Sequence, residues 1–210
     1  MLRLVVGAVL LIAPTPFAQA GENSRRAATE LAVLAGDLRK LGSGKSSTLH
    51  NEGLIERING SLSGLVILLR LADEELGRVP YNYNSEFEQL RGFWRQRDMA
   101  RMTAVISKIS VSHYFETANI LAFKPTKFGL KKAAELHQEF CAGCHDDPDL
   151  EVSRPALNLL EQSRGQTVTE FLARMMVGVR GDRISGIDNP LDDAQVSALY
   201  RYYLTANTEQ

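Results

Sequence analysis

Apolar positions recur at helical spacing along most of the chain. Leu31, Leu34, Ala35 and Leu38 fall on one face of a helix that Ser24 is placed to cap and that reaches Leu41. The run Gly42 to Ser47 reads as a flexible connector. Its glycines and Lys45 lack both the spacing and the preceding strand of a phosphate loop. A second helix is expected over 54–76, bent near Gly60 or Gly64, and a turn-rich stretch from Pro80 to Ser85 precedes helices at 86–96 and 99–115. Further on, Ala133, Leu136 and Phe140 lie on one face of a helix over 129–140. A helix at 167–177 follows, then a glycine-rich loop. A last helix at 191–206 opens with Asp192 and Asp193, acids suited to the positive end of its dipole. Val196, Leu199, Tyr200 and Tyr203 form a stripe on this helix that can cross the one at 129–140. The pattern predicts an all-α protein.

The chain begins with Arg3, an apolar run from Leu4 to Ala13, and small residues at Ala18 and Ala20 that fit a leader cleavage site, giving a mature start at Gly21. The run is well short of the roughly 20 apolar residues that span a bilayer. Export to the periplasm is expected, with residues 1–20 removed and no stable membrane span left. Loss of Arg3 takes the formal net charge from -1 to -2. So even a balance gives no support for a nucleic-acid partner, which calls for a basic excess on one face.

Only two cysteines occur, three positions apart, in the run Phe140-Cys141-Ala142-Gly143-Cys144-His145. C-x-x-C-H is the attachment signal of a c-type haem. Two thiols add to two vinyl groups on one porphyrin edge while the adjoining imidazole ligates the iron from below. A thioredoxin-like redox pair wants a surrounding βαβ pattern, a structural zinc site wants two further ligands, and an exported cysteine pair can form a disulfide. Neither the βαβ pattern nor a second ligand pair is present. The expected cofactor is one covalently bound haem c on Cys141 and Cys144, with His145 as the proximal iron ligand.

With these residues in place, the segment from Lys124 to Asn207 resembles a class I cytochrome c domain. It has a first helix ending in the motif, a proline after the haem histidine and an aromatic-rich last helix. The resemblance implies that the carbonyl of Pro155 accepts a hydrogen bond from the His145 ring, which would orient the imidazole. It also implies a methionine before the last helix as sixth iron ligand. The loop from Gly178 to Pro190 contains none. Met175 and Met176, at the end of the preceding helix, are the candidates for that ligand, against the alternative that they pack in the core. Of the other histidines, His137 sits one turn before Cys141, too close to the proximal side to reach the opposite face. His113 and His50 read as ordinary partly buried or loop imidazoles. Arg180 and Arg183 are candidates to pair with haem propionates.

Residues 21–123 carry no such motif and form a helical domain without covalent haem, ahead of a cytochrome c domain at 124–210. Phe87, Phe93 and Trp94 read as core, with contact to a haem or a partner as the alternative. A weak internal repeat lays Phe87–Asp98 over Phe171–Asp182 at an offset of 84, and Tyr114–Asn119 over Tyr202–Asn207. On that repeat the whole chain is similar to two-domain dihaem cytochromes c, such as the cytochrome subunit of flavocytochrome c sulfide dehydrogenase. Its first half would then be a cytochrome-like fold whose haem site is absent. The function this implies is a periplasmic monohaem electron carrier, more a carrier than an enzyme, whose partner is a redox protein or an oxidoreductase complex. Two alternatives stand beside it: a five-coordinate haem that binds a small ligand or reacts with peroxide, and a docking subunit of a larger complex.

Overall fold

A computed structural model describes residues 21–180, 186–187 and 191–206. The expected leader, residues 1–20, lies outside the described residues. Apart from two-residue strands at Val179–Arg180 and Gly186–Ile187, which pair antiparallel, all the regular structure among the described residues is helical. The chain is all-α.

Helices α1 (Glu22–Ser43), α2 (Thr48–Glu75), α3 (Asn84–Arg95) and α4 (Met99–Ser110) form the first unit, each packed on its sequence neighbour, with α4 closing back on α1. Short connections between consecutive helices favour this arrangement. The core is the predicted face of α1, with Leu31, Leu34 and Leu38, set against Ile58, Leu62, Leu65 and Leu69 of α2. Phe87, Leu90 and Trp94 of α3 and Met102, Ile106 and Ile109 of α4 complete it. Trp94 and Phe87 are thus core residues, and Phe93 packs against them part-buried. The Trp94 indole N–H donates to Asn59 Oδ1 at 2.7 Å.

Three boundaries differ clearly from the sequence reading, and the helix expected over 99–115 is one of them, ending at Ser110. Helix α1 starts earlier, at Glu22, so Ser24 is inside it; its hydroxyl donates instead to Glu75 Oε2 at 2.6 Å. Helix α2 runs unbroken through Gly60 and Gly64 and begins at Thr48, where the Ser47 side chain accepts from the His50 N–H. Both glycines face open space, so nothing in the packing forces a bend.

The second unit holds α5 (Ala118–Ala122), α6 (Lys127–Phe140), α7 (Ala142–His145), α8 (Leu159–Gly165), α9 (Val168–Met176) and α10 (Asp193–Thr205). Helix α10 packs across α6, as its stripe predicts, burying Val196, Leu199, Tyr200 and Tyr203 with Ala133 and Leu136. Phe140, in the last turn of α6, departs from that face and is exposed. Asp192 and Gln195 form a reciprocal capping box that fixes the start of α10. The repeat pairs α3 with α9, but its second part fails to match: Tyr114 lies in a loop, whereas Tyr202 lies within α10.

The two units share α1. While one of its faces serves the first core, Ala28 and Val33 enter the second beside Phe171 and Leu172 of α9. Gly36 permits the contact: a Cβ there would lie 2.4 Å from the Glu170 carboxyl carbon.

At the far end of the first unit, His113 is buried with its Nε2 2.7 Å from the Tyr83 hydroxyl and 3.5 Å from Asp73 Oδ1, and no described residue partners its Nδ1. Burial holds this imidazole below its usual range, helped by Arg78 and opposed by Asp73. The unfolded chain takes up a proton near pH 6.5 while the folded one resists it, so stability falls as pH drops through that value towards the folded pKa. His113→Gln is expected to melt with a weaker loss between pH 7.5 and 5.5 than the parent; equal losses would contradict the assignment.

Candidate functional site

Helix α6 ends where the motif begins. The Cys141 N–H still donates to the His137 carbonyl at 2.8 Å, and the Cys141 carbonyl then accepts from Cys144 N at 3.2 Å and His145 N at 3.0 Å. This tight turn, α7, holds both thiols and the imidazole on one short segment. Cys141 is half-buried, Cys144 is exposed, and both thiols are free. The His145 ring is fixed by a hydrogen bond from Nδ1 to the Leu157 carbonyl at 2.7 Å. Since Nδ1–H is the donor to that carbonyl, Nε2 carries the lone pair available to a metal.

The acceptor is therefore not the carbonyl expected from Pro155. Pro155 O instead accepts from Leu157 N at 2.9 Å, a turn that brings the carbonyl two residues further on to the histidine. The proline shapes the turn and Leu157 makes the bond. Immediately after, the Asn158 side chain accepts from the N–H groups of Leu160 and Glu161 and starts α8.

His137 lies on the α6 side of the motif, where its sequence position placed it. It is buried, with Nε2 2.9 Å from Asp146 Oδ1 and Nδ1 3.1 Å from the Tyr203 hydroxyl. A carboxylate only accepts, so Nε2–H donates to Asp146, while Nδ1 lies within hydrogen-bond distance of the Tyr203 hydroxyl. The same hydroxyl bonds Cys141, and burial, followed by that thiol's field, pushes the phenol far above its usual range. Burial likewise raises the Cys141 thiol, with the Tyr203 bond acting against it. Helix α10 thus grips the start of the motif through one buried hydroxyl.

On the other side, His145 faces a cavity of about 130 Å³ between α2 and the loop at 153–159. His50, Gly53, Leu54 and Arg57 line it from α2 at positions i, i+3, i+4 and i+7, a single helical stripe. Gly53 makes the approach possible, because a Cβ there would fall 1.9 Å from the Ser153 carbonyl oxygen. Lys40 of α1 and Arg174 of α9 close the far wall. Arg174 and Arg57 both bond the buried Asp37, at 2.8 Å and 2.5 Å, and Arg174 also bonds Glu170 at 2.7 Å. Burial and then the Arg174 charge push Lys40 down to about 8. The same two kinds of influence, burial first and then the Lys40 and Arg57 charges, lower the His50 imidazole.

Met175 and Met176 pack part-buried against the second core, and Met176 Sδ accepts from Arg25 at 3.3 Å. Neither lines the cavity that His145 faces. Arg183 and the side chain of Arg180 lie outside the described residues. Sequence reasoning missed Leu157, His50, Lys40, Arg57 and Arg174; Gly53 lies within α2 but outside the helix expected over 54–76, so it gave no signal.

The donor set fits a c-type haem in kind: two free thiols at the required spacing and an oriented imidazole with one free nitrogen. Among the described residues no group of three or more His, Cys, Asp and Glu side chains converges as a closed metal site would need. No helix among them is long and apolar enough to cross a membrane. No protein-family model, curated protein or solved structure matches the chain.

Proposed function

We propose that this chain is a periplasmic monohaem c-type cytochrome that passes single electrons between redox partners, a redox protein or an oxidoreductase complex. The observation that carries this reading is the bond from His145 Nδ1 to the Leu157 carbonyl, beside two free thiols at C-x-x-C spacing. It gives the imidazole a fixed orientation and leaves Nε2 for iron. A haem held there supplies one-electron iron redox chemistry. Cys141 and Cys144 would fix it covalently, and Tyr203 and His137 would keep the first cysteine in place. The packing of α6 across α10 beside the motif supports a class I cytochrome c domain for residues 124–210.

The positions of Met175 and Met176 favour a second reading, a five-coordinate haem open to small ligands, because both pack part-buried against the second core and Met176 Sδ accepts from Arg25. One experiment separates the two. The carrier is expected to titrate reversibly as a single one-electron couple, and its ferrous form to show no prompt Soret shift on addition of carbon monoxide. A prompt shift would overturn the carrier reading in favour of the ligand-binding one.

A further inference from the structure

The cavity beside His145 carries more positive than negative charge. No described carboxylate lines it; Asp37 and Glu170, the buried carboxylates that hold its arginines from behind, are both fully committed. Asp37 receives two bonds from Arg57 and one from Arg174, while Glu170 receives Arg174 and Arg39. Lys40 is left over. Its ammonium donates to a neutral amide oxygen, Gln162 Oε1, at 2.8 Å, and no described carboxylate lies within ion-pair distance of it. The His50 ring makes no hydrogen bond to a described residue, and Arg154 reaches Glu56 only at 3.7 Å. Burial first, and the Arg174 charge after it, disfavour the Lys40 ammonium, with Glu170 and Asp37 acting against them.

Size narrows the occupant. Small-molecule sites typically run to about 300–1,000 Å³, so a cavity of about 130 Å³ takes a carboxylate or a small oxyanion, not a macrocycle. We propose that the cavity between α2 and the loop at 153–159 is an anion site in which Lys40, His50, Arg57 and Arg174 receive a carboxylate or small oxyanion beside His145. Guanidinium and ammonium groups together suit such a ligand, the first by its planar fork and the second as a point charge. The anion has two possible sources: a propionate of the haem itself or a free oxyanion from solution. Only the propionate assignment rests on the haem reading above. In either case the N-terminal helices complete the site, since Lys40 comes from α1 and His50 and Arg57 from α2.

The test uses the purified full chain with whatever haem it carries, and compares the parent with Lys40→Met and Lys40→Arg. Inorganic phosphate is titrated in by calorimetry, and the haem midpoint potential is measured at fixed ionic strength. If the source is free, phosphate binds the parent, Lys40→Met weakens binding at least tenfold, and Lys40→Arg restores most of it. If a propionate fills the site, phosphate does not bind, but Lys40→Met lowers the potential, because a cation near the haem disfavours the more positive ferric state; Lys40→Arg leaves it near the parent value. Thermal melting of each variant checks that the fold is intact. No phosphate binding together with an unshifted potential overturns the proposal. If the chain carries no covalent haem, the phosphate titration alone decides, and failure there overturns the site independently of the haem reading.

Discussion

Replacing Cys141 and Cys144 together with alanine is expected to abolish covalent haem in protein exported from a host that attaches it. After denaturing electrophoresis the parent chain should show haem-dependent peroxidase staining at its own mass, and the double variant none. The effect is all-or-nothing because no other cysteine exists to form a thioether. The fold should tolerate the change, since Cys144 is exposed and Cys141 only half-buried. Staining that persists in the double variant would mean the thiols are not the attachment point.

The second large effect concerns stability. Asp37 is completely buried and holds Arg57 and Arg174 in one network that joins α1, α2 and α9. Asp37→Ala leaves two guanidiniums without their shared acceptor, one of them largely buried. Breaking a buried pair from one side costs about 3–5 kcal/mol. At about 2–4 °C per kcal/mol for a chain of this size, the melting midpoint should fall by roughly 10 °C. Asp37→Asn, which keeps an acceptor oxygen and the shape, should lose less. An unchanged midpoint in Asp37→Ala would show that the network contributes nothing to stability. Because Arg57 and Arg174 also line the His145 cavity, the same substitution should loosen the seam between the two units.

The strongly periodic elements were legible in the chain itself. Leu31, Leu34 and Leu38 mark the inner face of α1, and Val196, Leu199, Tyr200 and Tyr203 mark the stripe of α10 that covers α6. The motif at 141–145 stands out without any structure, since a C-x-x-C-H reading depends only on spacing along the chain. The second face of α1 was hidden, because Ala28 and Gly36 are small and give little hydrophobic signal although they set how closely α9 approaches. Short α8 was missed despite the Asn158 cap at its start. The partner of His145 slipped from Pro155 to Leu157 because a turn decides which carbonyl faces the ring, and a proline fixes only its own φ. His50 looked like a loop residue until long-range packing brought α2 against the loop at 153–157. No sequence window spans that distance.

His50, Gly53 and Arg57 bring the first unit up to the cavity that His145 faces, which its lack of a motif would not suggest. Residues 21–123 hold no C-x-x-C-H run, but they furnish one wall of the cavity beside His145. The shared helix α1 ties that wall to the second core, so the two units meet through side chains packed on both sides of one helix.

The most direct measurement is the mass of the peptide spanning residues 141–145, released by proteolysis from the exported protein and purified without reducing agent. A single covalent haem on both cysteines predicts a peptide heavier by one haem, with a visible absorption that acidic acetone does not extract. A peptide two hydrogens lighter, carrying a Cys141–Cys144 disulfide and no haem, would contradict the assignment of Cys141, Cys144 and His145 as a haem site.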